Sequence, residues 1–173
     1  MRRLGLLRRD PEARALRALA DALRELPERH RPEEALQIVV DIARRETKAR
    51  YAALAVTDEH DRTQGFVTSG MTAEELRGLR VPPQGHGPLG ALRADGRPVR
   101  YDDVSNARRS FGFPPKHPSM RSLLGVPVWA QGNVRGSLYV TDRSDGKPFD
   151  DDDERLVVTL AEHASKVIEQ EWY

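Results

Sequence analysis

The sequence predicts an α+β domain in which an antiparallel sheet carries helices on one face and loops on the other. Three observations support this fold class: apolar residues at helical spacing near both ends of the chain, two pairs of strand-like segments joined by turns, and a long irregular segment between them. With 173 residues, the chain has room for one ordinary domain and a helical extension. We therefore divide it into an N-terminal helical extension, residues 1–30, and a main domain, residues 31–173.

Composition excludes several classes of function. The chain has no cysteine, which rules out disulfides, thiolate nucleophiles and thioether-linked chromophores. Its net charge of +1 gives no general attraction to nucleic acid. Its apolar runs are shorter than the roughly 20 residues that a membrane span requires. The apolar stretch near the N-terminus is also too short for a signal peptide. The sequence therefore predicts a cytoplasmic protein that binds neither nucleic acid nor membrane.

The N-terminal region has the pattern of two helices. Four leucines step by three, four and three residues: Leu16, Leu19, Leu23 and Leu26. Pro27 ends this helix, and Pro32 opens a second one that runs to about Thr47. The leucine seam spans two heptads at most. It fits pairing with another helix and packing against the chain's own domain equally well.

Two hairpins provide most of the predicted sheet. Residues 51–57 and 64–68 alternate as strands around a polar turn, and residues 123–130 and 134–141 flank Gln131-Gly-Asn133. A short strand is expected over residues 97–101. A short helix begins at Thr72, with Glu75 as its capping-box partner.

The last helix begins in an acidic run, Asp150–Glu154, whose expected role is to complement the positive end of the helix dipole. Both terminal helical regions carry an apolar stripe and should share one face of the sheet. The irregular middle, residues 70–120, must then cover the other face. A sheet face roofed by loops is a pocket, and a loop segment of this length usually has a function.

Alternation along the strands predicts which side chains face this pocket. Leu138 and Val140 should face the helices, so that Ser137, Tyr139 and Thr141 take the other face. On the first strand, the same rule turns Leu54 and Val56 toward the helices and leaves the small Ala53 and Ala55 below the pocket. These small side chains would leave space for a flat ligand. Alternatively, Tyr139 completes a core with its hydroxyl at the edge.

The sequence offers no catalytic constellation. A glycine-rich phosphate loop, a histidine pair at metal-binding helical spacing and a nucleophile elbow are all missing, so we expect a binding module rather than an enzyme. Two histidines, His86 and His117, lie in the segments expected to roof the pocket. Pro114, Pro115 and Pro118 flank His117 and stiffen the backbone. A rigidly held imidazole suits metal ligation.

Four segments together resemble a GAF domain. They are Ala49–Val56, Leu124–Val128, Gly136–Thr141 and Phe149–Glu154, and the resemblance extends over roughly residues 30–170. It implies a GAF fold with a central antiparallel sheet of about six strands, terminal helices on one face, and loops and short helices forming a ligand pocket on the other.

A narrower resemblance concerns Gly112–Pro127, which is similar to the haem-binding first GAF domain of bacterial dormancy-survival sensor histidine kinases. This resemblance implies non-covalent haem b, with His117 as the iron ligand and Tyr139 on the distal side. It also implies sensing of oxygen, nitric oxide, carbon monoxide or redox state, and a homodimer or a histidine kinase as partner. Four apolar residues are the expected pocket walls: Phe66, Leu92, Phe113 and Met120.

Other branches of the family fit less well. Cyclic-nucleotide GAF domains carry an Asn-Lys pair where this chain has Asp142-Arg143, and an acidic residue there disfavours an anionic ligand. Bilin-binding domains and GAF-type free methionine sulfoxide reductases need cysteines. The remaining alternative is a cofactor-free GAF domain that mediates dimerisation, partner docking or small-molecule regulation, with the leucine seam at residues 16–26 as its contact.

Overall fold

A computed structural model describes residues 10–60, 62–78, 92, 95–104 and 120–171. The helices and strands of this part follow in the order α1 (Pro11–Glu25), α2 (Pro32–Thr47), β1 (Ala49–Thr57), β2 (Thr63–Ser69), α3 (Ala73–Gly78), β3 (Val99–Tyr101), β4 (Leu123–Ala130), β5 (Asn133–Arg143) and α4 (Asp151–Glu171). This order matches the one predicted from the sequence, and the predicted α+β class is confirmed.

The strands form one sheet in the order β2-β1-β5-β4-β3, and every neighbouring pair is antiparallel. The described residues thus supply five strands, where the resemblance implied about six. The predicted β4–β5 hairpin is present and closes through two residues, Gln131 and Gly132. Their φ angles of 51° and 75° are those of a type I′ turn, whose twist matches the flanking strands.

Three helices, α1, α2 and α4, cover one face of the sheet and enclose the main core. Leu54 of β1 and both Leu138 and Val140 of β5 belong to this core, together with Leu36 of α2 and Leu160 of α4. The predicted alternation is therefore confirmed on both central strands. We call this side of the sheet the helix face and the opposite side the distal face.

The leucine seam of α1 is divided between core and surface. Ala15 and Leu19 are buried against α2 and α4, whereas Leu16 is 59% exposed and Leu23 is 37% exposed. Of the four seam leucines, Leu19 alone is fully buried in the chain's own domain, and Leu26 is half-buried. The inward stripe is completed by Ala18 and Ala22, since alanines let two helices approach closely. The division of the chain at residue 30 stays a prediction.

Predicted caps are confirmed at two helices. The Thr72 backbone N–H donates to Glu75 Oε2 at 2.8 Å, and the Glu75 N–H donates to Thr72 Oγ1 at 3.1 Å. Asp150 and Asp153 cap α4 in the same reciprocal way, at 3.0 and 2.9 Å. Two members of the acidic run therefore cap α4, and the run lies at the positive end of the helix dipole, as predicted. Of the helices that the structure describes, none has the length and apolar character needed to cross a membrane.

Candidate functional site

A second apolar cluster lies on the distal face of the sheet. Its buried members are Ala53, Leu92, Val104, Leu123 and Tyr139, and Phe66, Val99 and Tyr101 pack against it half-buried. The structure thus brings together three of the residues predicted to form the pocket, Phe66, Leu92 and Tyr139. Met120, a fourth, is buried just before β4. The predicted site residues Phe113 and His117, like His86, lie outside the described residues.

Tyr139 occupies the middle of this cluster because its neighbours in the sheet are small. It is paired with Ala53 on β1 and with Gly125 on β4. A Cβ added to Gly125 would lie 3.1 Å from Leu92 Cδ1, so this glycine lets Leu92 pack directly onto β4. The tyrosine side chain therefore lies between two small residues of the neighbouring strands and is buried in the same cluster as Leu92.

The hydroxyl of Tyr139 is buried with no hydrogen-bond partner among the residues that the structure describes. Burial also raises the pKa of this phenol well above its ordinary value, so the group stays protonated and able to donate. A buried hydroxyl left without a partner costs about 1–3 kcal/mol. Such a group in an apolar layer marks a place where a ligand can supply the missing partner.

Two further polar atoms on β5 share this condition. Arg135 Nε and Thr141 Oγ1 are buried, and neither has a hydrogen-bond partner within the described part of the chain. Alternation places Arg135, Ser137, Tyr139 and Thr141 on the distal face in one row. Arg135 was not among the residues that the sequence analysis singled out. Extending the alternation by one step from Ser137 would have found it.

The short helix α3 is held against the distal face by Tyr51, which is paired with Thr141 in the sheet. The Tyr51 hydroxyl donates to Glu75 Oε1 at 2.9 Å. Burial and this bond raise the pKa of Tyr51, while the Thr72 backbone N–H lowers the pKa of Glu75. The protonated phenol and the ionised carboxylate therefore form a stable donor–acceptor pair beside the cluster.

The distal face thus presents an apolar layer with a row of polar groups on its central strand. It suits a ligand with a largely apolar body, one group that accepts from Tyr139, and a negative charge opposite Arg135. Helices on one face of an antiparallel sheet and a second apolar layer on the other define an α+β domain with two packed faces. The chain belongs to the GAF domain family, because the model of that family matches residues 29–169. GAF domains occur in sensor and regulatory proteins.

Solved structures of other proteins, two of them GAF domains, share this fold. The GAF domain of a phosphoenolpyruvate-protein phosphotransferase from Coxiella burnetii is 23% identical, with a TM-score of 0.72 over 92% of this chain and 95% of its own. The corresponding Acinetobacter domain is also 23% identical, with a TM-score of 0.71 over 90% and 92%. A methyl-accepting chemotaxis protein is 16% identical, with a TM-score of 0.63 over 92% and 95%. The narrower resemblance to haem-binding sensors stays a prediction.

Proposed function

We propose that this chain is a sensory GAF module that binds haem b non-covalently on its distal face. In this proposal His117 would hold the iron, and the Tyr139 hydroxyl would donate a hydrogen bond to what the iron binds. The observation that carries the proposal is the Tyr139 hydroxyl, buried without a partner in an apolar layer. The module binds and does not catalyse.

The described residues fit such a group in two respects. Leu92, Val104 and Leu123 form an apolar layer of the kind that would contact a macrocycle. Arg135 offers a guanidinium whose buried Nε has no partner in the described part of the chain, which suits a propionate carboxylate. When bound, haem supplies an iron that takes a diatomic gas or changes its oxidation state.

The position of Tyr139 also suggests how ligand binding on the distal face would be transmitted to the helices. Its sequence neighbours Leu138 and Val140 contact the helix face, so any shift of β5 is felt on both sides of the sheet. The helix face consists of α1, α2 and α4, the terminal helices through which a histidine kinase or a second copy could be engaged. A change at Tyr139 would therefore reach a regulatory partner through rigid packing.

Haem retention tests this proposal. Protein incubated with equimolar haemin is passed through a desalting column, and the haem that remains is measured per chain. We expect stoichiometric retention in the wild type, loss in His117→Ala, and no change in the control His60→Ala, because His60 lies in an exposed turn. Equal retention by His117→Ala and the wild type would contradict the assignment of His117.

A second candidate function rests on α1. Leu16 and Leu23 are exposed one heptad apart, and the exposed Ala20 lies between them. This stripe supports a cofactor-free module that dimerises or docks a partner through α1. The double variant Leu16→Glu/Leu23→Glu should then abolish association in sedimentation experiments. The matched control is Leu76→Glu, at an exposed leucine of α3; a monomeric wild type would contradict dimerisation.

A further inference from the structure

A basic cavity lies at one end of the sheet, where β1 and β4 begin and β2 and β5 end. Its volume is about 1160 Å³, and it shares no residue with the apolar cluster of the distal face. Seven Lys or Arg and three Asp residues line it, and three of these cations, Arg45, Arg121 and Arg143, form ion pairs with carboxylates outside the lining.

Four of these cations have no carboxylate within 4.0 Å among the described residues: Arg44, Lys48, Arg50 and Lys147. Arg44 donates instead to the Ser69 hydroxyl at 2.9 Å, and the Arg50 guanidinium lies 5.0 Å from the centre of the Tyr51 ring. Lys48 and Arg50 lower the pKa values of more distant carboxylates, those of Asp145 and Glu75. Such longer-range attraction leaves both cations able to bind an anion.

Two acidic residues of the lining accept hydrogen bonds from neutral donors. The Asp142 carboxylate accepts from the backbone N–H groups of Arg121 and Ser122, at 2.7 and 3.0 Å. Asp41 accepts from the Gln37 side-chain amide at 3.0 Å. These hydrogen bonds come from neutral groups, so they fix the positions of the two carboxylates and leave the four cations without an ion-pair partner. Cations gathered in this way repel one another, and an anion bound among them would relieve that repulsion.

The helix dipole explains only part of this cluster. Arg44 and Lys48 lie at the C-terminal end of α2, where cations are favoured in any case. Arg50 belongs to β1 and Lys147 to the turn after β5, so the dipole of α2 does not account for them. Convergence of cations from a helix, a strand and a turn on one cavity is typical of an anion site.

Backbone contacts fix the segments that line the basic cavity. The Ser144 N–H donates to the Lys48 carbonyl at 2.8 Å, which ties the turn after β5 to the end of α2. Lys48 itself has a φ of 59°, a left-handed conformation that is costly for lysine. At Gly70, whose φ is 91°, a Cβ would lie 2.2 Å from the Arg50 carbonyl oxygen. Only glycine lets β2 end so close to Arg50.

We propose that this cavity binds a small polyanion, a molecule carrying at least three phosphate or carboxylate charges. The four unpaired cations set this number, because each can pair with one negative charge of the ligand. A cavity, as opposed to an extended basic face, suits a small molecule better than a polymer. The site would act independently of the distal face and could give the module a second input.

Isothermal titration with inorganic tripolyphosphate and with citrate tests this site. In about 0.15 M salt we expect saturable binding of one molecule per chain, weakened about tenfold or more in Lys48→Ala. The two ligands separate phosphate from carboxylate preference. The control Lys166→Ala removes the same charge from an exposed position on α4, outside the cavity, and should leave the affinity unchanged.

A second variant separates binding from folding. Lys48→Gly relieves the left-handed strain, so it should unfold at the same or a higher temperature than the wild type and still lose affinity. Binding of neither ligand would overturn the proposal, and so would equal losses in Lys48→Ala and Lys166→Ala. Haemin binding by the same samples is measured separately and reports on the distal face alone.

Discussion

The hydroxyl of Tyr139 is the group on which most of the functional account depends. Phenylalanine would fill the same volume without the cost of burying an unpaired hydroxyl. Strand alternation in the sequence was sufficient to place Tyr139 on the distal face. The lack of a partner for its hydroxyl could not be predicted, because it depends on which side chains converge from β4 and from the segment holding Leu92.

Replacing this tyrosine tests whether the hydroxyl is unsatisfied in the free chain. We expect Tyr139→Phe to raise the free energy of unfolding by about 1 kcal/mol, since the desolvation cost of the hydroxyl disappears. Urea denaturation of the ligand-free protein measures this. A decrease of similar size would show that the hydroxyl has a partner in the free protein and would contradict the account.

Arg135 has its own test, because the proposal gives its guanidinium a carboxylate to bind. Wild type should bind haemin about tenfold or more tightly than haemin dimethyl ester, whose propionates carry no charge. Arg135→Gln should bind both about equally. Arg24→Gln is the control, since Arg24 is exposed on α1, which covers the helix face. A preference for haemin that survives in Arg135→Gln would exclude this role.

At the scale of elements, β5 is the strand that joins the two faces. Gly136 lies within it opposite Val56 and Val128, and a Cβ there would be 2.5 Å from the Ala55 carbonyl oxygen. The close pairing of β1 with β5 therefore depends on this glycine. The same pairing fixes the register that places Tyr139 opposite Ala53.

Substitution of this glycine should weaken the sheet. We expect Gly136→Ala to lower the free energy of unfolding by about 1–3 kcal/mol, because the strands must move apart to admit the methyl group. Thermal or urea unfolding measures the loss, and Ser137→Ala on the same strand serves as the control. Unchanged stability in Gly136→Ala would mean that the two strands are not packed this closely.

Helix α1 shows where sequence patterns stop being informative. Its C-terminal end followed from Pro27, and its end at Glu25 agrees with this, whereas its start at Pro11 was not predicted. Its buried face did not follow, because alanines and leucines on adjacent stripes are both apolar. The choice of Ala15 and Leu19 over Leu16 and Leu23 is made by the space left between α2 and α4.

At the scale of the whole molecule, the sequence was sufficient for the fold class, the order of elements and the separation of the two faces. These follow from local periodicity and turn chemistry. The basic cavity did not follow, because its cations are spread from Arg44 to Lys147. Only the antiparallel order of the strands brings those segments to the same end of the sheet.

Acid sensitivity of the whole domain is expected from His163 on α4. Burial, aided by the charge of Lys166, lowers the pKa of this half-buried histidine below its ordinary value of 6.5. The unfolded chain therefore takes up the proton more readily than the folded one as the pH falls through that value. Hence the free energy of unfolding should decrease between about pH 7.5 and pH 5.5.

Urea denaturation at these two pH values measures the effect. The decrease should be smaller in His163→Gln than in the wild type. In the control His60→Gln it should be as large as in the wild type, because His60 is exposed. A wild type and a His163→Gln variant with the same pH dependence would show that burial of this imidazole does not influence stability.

The absorption spectrum of the reduced, haemin-loaded protein in the presence and absence of carbon monoxide tests the central claim most directly. The account predicts a sharp Soret band that shifts on addition of carbon monoxide and disappears in His117→Ala. A spectrum identical to that of free haem under the same conditions would contradict haem binding. The GAF fold would stand, and the exposed stripe of α1 would become the principal candidate for function.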